Sequence, residues 1–125
     1  MTPKFRAWLK KEQKMDNDID HISWLEDELY CIGDGITYMV SAEDLVLMQS
    51  TDMVDRNGKI IFEGDIVRMA KDVYSESTYY EVVRHYGGAY RLESKQHGCE
   101  LWLRHTECEV VGNVYENKEL MEAIK

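Results

Sequence analysis

The sequence predicts a mostly β protein: a small antiparallel barrel-like or sandwich fold with several hairpins and a short C-terminal helix. Three observations predict it. In the stretch LMQSTDMVDRNGKIIFEGDIVRM, Leu47 to Met69, two apolar runs meet at Asn57-Gly58, and Glu63-Gly64-Asp65 launches a further strand. Asn-Gly best tolerates the two positive φ angles of a type I′ turn, so the flanking runs are expected to pair in fixed register. Asp34-Gly35 and Gly87-Gly88 sit between runs of the same kind. No helix-length crossover separates the strands, which excludes a parallel βαβ sheet.

Taken in order, Phe5, Ala7 and Leu9 alternate with Arg6, Trp8 and Lys10, the period of a strand with one face toward a core. Lys10 to Met15 reads as a polar turn, and the acidic stretch Asp16 to Glu28 is ambiguous between strand and short helix. Leu29 to Val40 is a hairpin about Gly33-Asp34-Gly35. Ser41 to Asp44 predicts a brief turn before the apolar segment from Leu45. After strand Asp65 to Met69, residues 70–78 read as a loop, followed by a hairpin pairing Tyr79–Tyr86 with Ala89–Leu92. Glu100–His105 and Glu109–Tyr115 read as two more strands. Asn117 is placed as the cap of a final helix with Leu120, Met121 and Ile124 on one face.

At 125 residues there is room for one domain, burying roughly two-thirds of its unfolded surface. A boundary near Ser50 would separate an irregular part, 1–50, from a barrel-like part with the terminal helix, 51–125. Cys31, Cys99 and Cys108 are not closely paired and the N-terminus has no apolar signal segment, so a reducing cytosol is the expected compartment. No apolar run is long enough to span a membrane.

With 15 basic and 24 acidic residues the net charge is −9, which repels phosphate backbones and favours a basic partner. The alternative is a nucleic-acid role for the basic N-terminal cluster of Lys4, Arg6, Lys10, Lys11 and Lys14 around Trp8, in which an aromatic is interleaved only once.

Four residues of zinc-binding type, His97, Cys99, His105 and Cys108, fall in one short window. Their H-x-C and H-x-x-C spacing lacks a CxxC pair, and Leu101-Trp102-Leu103, read as a strand, would carry the halves apart. No metal and no cofactor is therefore expected. Asp16, Asp18 and Asp20 match part of a calcium loop, but His21 stands where that loop needs glycine and Asp27 where it needs glutamate. His85 is an isolated histidine without a nucleophile beside it, and no phosphate-cradling glycine loop opens a helix, so no enzyme activity is expected. Tyr74, Tyr79, Tyr80, Tyr86 and Tyr90 surround one loop and one hairpin and are the partner-binding candidates, with one face of the strand reserved for the core.

KFRAW (4–8), LMQST (47–51), DRNGKIIFEGDIV (55–67) and EVVGNVYENKEL (109–120) together resemble the YopX family of phage and prophage proteins, over essentially the whole chain. The chain departs from that pattern at Ser50-Thr51-Asp52, where the family usually has Tyr-Thr-Gly, and at Phe62, commonly Tyr. The resemblance implies a largely β fold, a phage or prophage origin and homo-oligomers, and transfers no catalytic residue. The expected function is that of a non-enzymatic module acting by self-association or by binding a host or phage protein.

Overall fold

The computed structural model describes residues 5–19, 21–24, 29–34, 36–70, 72–85, 88–95 and 97–124. The chain is mostly strand, in antiparallel sheets, with a short helix near its C-terminus. It divides into two compact units, Met1–Ser50 and Thr51–Lys125. No helix among the described residues is long and apolar enough to cross a membrane.

The described residues of the first unit are mostly strand, where an irregular segment was expected. Strand β1 (Phe5–Leu9) runs antiparallel to β2 (Lys14–Ile19), with Phe5 opposite Ile19 and Leu9 opposite Lys14. Its other edge pairs with β6 (Leu45–Val54), Phe5 facing Gln49 and Leu9 facing Leu45. β1 is buried on both faces: Arg6 and Trp8 lie inside along with Ala7 and Leu9. β3 (His21–Trp24), β4 (Leu29–Asp34) and β5 (Ile36–Ser41) form an antiparallel meander in which Ile32 faces both Ile22 and Tyr38. Ala7, Leu9, Ile19, Ile32 and Leu45 make the core. The acidic segment left open by its ambiguous period is thus strand at Asp16 and at 21–24. Asp16 sits opposite Ala7 and accepts the Tyr38 hydroxyl at 2.5 Å. Asp20 and Asp27 lie outside the described residues.

In the second unit, five strands take the order β11-β10-β9-β8-β12. They are β8 (Asp65–Ala70), β9 (Ser77–Arg84), β10 (Tyr90–Glu93), β11 (Gly98–Glu100) and β12 (Glu109–Asn113), while β7 (Ile60–Phe62) pairs with β6. Val67 lies opposite Tyr80, and Val82 opposite Leu92, which puts all four on one face. With Ile61, Met69, Leu101 and Cys108 they form the core. The span read as a strand from Glu100 is instead a turn of helix, α1 (Leu101–Arg104), followed by a 3-10 turn at His105–Glu107.

The Asn57-Gly58 hairpin is present, but its turn is not type I′. Gly58 has φ +80° while Asn57 keeps a negative φ. The Gly58 amide donates to Asp55 O and the Asp55 amide to Lys59 O, the pattern of a type I turn closed by a glycine bulge. The extra residue is accommodated because the buried Asp55 carboxylate gathers the loop amides around itself. α2 (Lys118–Ile124) turns Leu120, Met121 and Ile124 inward as its pattern predicts. Asn117 stands directly before it, and its carbonyl accepts the Leu120 amide at 3.0 Å. The Asn117 carboxamide oxygen accepts from the Asn113 amide, and a Cβ at Gly112 would come within 2.4 Å of that oxygen, so any other residue there would have to displace the Asn117 side chain.

At Asp52, where the family pattern has glycine, φ is +62°. The bend is clamped by Thr51, whose hydroxyl accepts the Met53 amide (3.2 Å) and donates to Ile61 O (2.7 Å). The backbone therefore keeps a conformation suited to glycine with an aspartate in it. Asp52→Gly should stabilise the protein by about 0.5–1 kcal/mol, the relief of left-handed strain less the entropy glycine adds to the unfolded chain. Urea unfolding would measure this, and a destabilised variant would contradict it.

Candidate functional site

The described tyrosines do not form one surface. Tyr80 is buried in the core, its ring edge-on to His97 at 6.1 Å between centroids, and burial pushes its phenol up. Tyr79, on the opposite face, lies across from Arg68 and is half-buried. Tyr90 is half-buried opposite Arg84. Tyr86 lies outside the described residues. Of the described candidates only Tyr74 stands clear, 95% exposed in the loop after β8 beside a 90% exposed Val73.

The His and Cys residues of the zinc reading have separate engagements. His105 places Nδ1 2.8 Å from Val54 O, and His97 packs against Tyr80. Cys108 is fully buried, its thiol 3.3 Å from Arg104 O, and burial pushes it up to about 12. Cys99 is half-buried and its thiol is raised by burial as well. Among the described residues no group of three or more His, Cys, Asp or Glu is arranged to hold a metal ion.

The N-terminal basic cluster does not display its aromatic, since Trp8 is only 6% exposed and Arg6 is equally buried. Lys11 pairs with Asp44 at 3.4 Å, and Lys4 lies outside the described residues.

What the sequence reading missed is on α1. A strand through Leu101-Trp102-Leu103 would turn Trp102 away from both leucines. In the helix Leu101 alone goes into the core, and Trp102 and Leu103 emerge together, 64% and 57% exposed. Three apolar residues between charged ones carry no helical period, so nothing local signalled this. Large apolar side chains so exposed are what a protein contact uses.

The hairpin that carries Arg56 is fixed with unusual thoroughness. Asp55 Oδ1 accepts from the Asn57 and Lys59 amides and Oδ2 from the Val110 amide, each at 2.9 Å, while the Arg56 amide donates to Cys108 O. Burial by itself would push the Asp55 carboxyl up. The amides of Val110, Lys59 and Asn57, with the Lys59 charge, outweigh it and hold the group below the usual carboxylate range.

These features define an antiparallel β protein of two compact units, with an apolar helical turn displayed on the second. The family model described as YopX protein matches residues 4–122, and the chain belongs to the YopX family. Among solved structures it is similar to protein yopX from Bacillus subtilis, at 22% identity and a TM-score of 0.67 over the whole of both chains. It is also similar to protein EF1440 from Enterococcus faecalis, at 27% identity and a TM-score of 0.60, covering 95% of this chain and 97% of that one. No curated protein matches the chain.

Proposed function

We propose that this YopX-family chain is a phage- or prophage-encoded, non-enzymatic module of the host cytosol that acts by self-association or by binding a host or phage protein. The observation that carries the reading is the joint exposure of Trp102 and Leu103 on α1. Tryptophan supplies large contact area at low conformational cost, and such residues dominate binding energy where they are buried by a partner. Supporting the non-enzymatic part, the Cys108 thiol is sealed in the core and the His105 ring is engaged with backbone.

The test is light scattering of the purified chain together with a nuclease-treated pull-down from lysogenic cytosol, using the native sequence and the Trp102→Ser, Leu103→Ser double variant. The native chain is expected to assemble or to retain a stoichiometric protein partner. The double variant should lose that complex by tenfold or more, an effect of about 1.4 kcal/mol or greater, with an unchanged melting temperature. A native chain that stays monomeric and retains no protein would overturn the reading. So would an unaffected double variant.

A further inference from the structure

We propose that β5 is a dimerisation edge, along which a second copy of this chain adds its own β5, antiparallel, about a two-fold axis at Met39. The contact lies on the first unit, apart from Trp102 and Leu103, and does not depend on them.

β5 stands at one side of its three-stranded meander. All six of its residues, Ile36 to Ser41, pair with β4 without a register shift, and among the described residues no strand takes its other edge. The N–H and C=O groups along a free edge are a template for another strand, so natural edges are kept short, charged, bulged or interrupted by proline. The other edges of this protein follow that rule. β2 carries Lys14 and Asp16, while β3, β7 and β11 have only four, three and three residues. The edge of β12 is taken up by the Asp55 hairpin, whose carboxylate accepts the Val110 amide. β5 departs from the rule: its sequence, ITYMVS, has no charge, no proline and no glycine, and is rich in strand-forming residues.

Its side chains select the occupant. Tyr38 lies opposite the buried Ile32 and Val40 packs against the same core, so these two take the inner face. Thr37 and Met39 alternate onto the outer face, where Met39 is 65% exposed. Opposed residues of an antiparallel pair share a face. With Met39 of one copy on Met39 of the other, Tyr38 meets Val40 and Thr37 meets Ser41. An aromatic against a β-branched residue and a hydroxyl against a hydroxyl are both favourable cross-strand pairs, and no charge opposes another. A chain of net charge −9 repels its own copies over most of its surface, and an uncharged strand is where two of them can approach. The Tyr38 hydroxyl, held by Asp16 at 2.5 Å, already fixes the strand in place for the contact.

The test is sedimentation equilibrium of the full chain, alone and as Met39→Lys and Met39→Glu variants. The native chain should be a dimer. Each variant sets like charges opposite one another at the two-fold axis and should weaken the dimer by about tenfold or more. Met39 is exposed, so neither substitution should change the far-ultraviolet circular dichroism. An equimolar mixture of the two variants should dimerise again, because lysine then faces glutamate across the axis. The Trp102→Ser, Leu103→Ser double variant should keep this dimer and lose only the complex held by α1, so either surface can fail without the other. A monomeric native chain, or Met39 variants that dimerise as the native chain does, would overturn the edge. Variants that dissociate but do not pair when mixed would overturn the two-fold axis at Met39.

Discussion

Replacing Asp55 by alanine is expected to destabilise the protein by about 3–5 kcal/mol, because it strands buried amides that a charged acceptor now satisfies. The carboxylate is 3% exposed and takes three amide hydrogens, from Asn57, Lys59 and Val110. Two of these close the hairpin loop and the third ties it to β12, so alanine undoes a local turn and a long-range tether together. Asp55→Asn should cost less, about 2 kcal/mol, since its amide oxygen can serve one side while its NH2 meets a donor on the other. The pH dependence follows from the depressed carboxyl. A group whose folded pKa lies below its unfolded value, about 3.9, stabilises fully above that value and loses the contribution as pH falls through the folded one. Acid unfolding of Asp55→Asn should therefore be shallower than that of the native chain below about pH 4. Urea unfolding at neutral and acid pH measures both effects, and a loss under 1 kcal/mol for Asp55→Ala would show that the knot does not hold the hairpin.

The same residue explains where the sequence was legible and where it was not. Strand β1, the hairpin of β4 and β5, the course of β8 into β9 and the final helix follow from short-range periodicity and turn residues. The turn type at Asn57 does not. Locally the Asn-Gly pair prefers type I′, but the bond from Val110 to Asp55 joins positions far apart in sequence, and that tertiary bond decides the loop. β1 reads as one-sided because its alternation is real, yet Arg6 and Trp8 on its second face are buried as well. The pairing of Arg68 with Glu109 was invisible for a related reason, since only the β8–β12 register brings the two together. The zinc reading drew on nearness in sequence, which the turn of α1 converts into different neighbours for each residue.

Leu101→Ala is the second large effect, at about 2–5 kcal/mol, the cost of a cavity beneath a fully buried leucine. Leu101 is 0% exposed and shares the core with Val82, Leu92 and Cys108. Its value as a test comes from comparison with Leu103→Ala. Were the segment a strand, residues two apart would share a face, and the two leucines would have to be costly or harmless together. In the helical turn they part, Leu101 inward and Leu103 outward, so Leu103→Ala and Trp102→Ala should each stay within about 0.5 kcal/mol of the native chain. Thermal and urea unfolding of the three single variants would decide it. Equal losses for Leu101 and Leu103 would restore the strand and remove the displayed tryptophan face. A large loss confined to Leu101 would mean that substitutions at Trp102 and Leu103 leave the fold intact, so any complex they abolish is lost through the contact itself and not through unfolding.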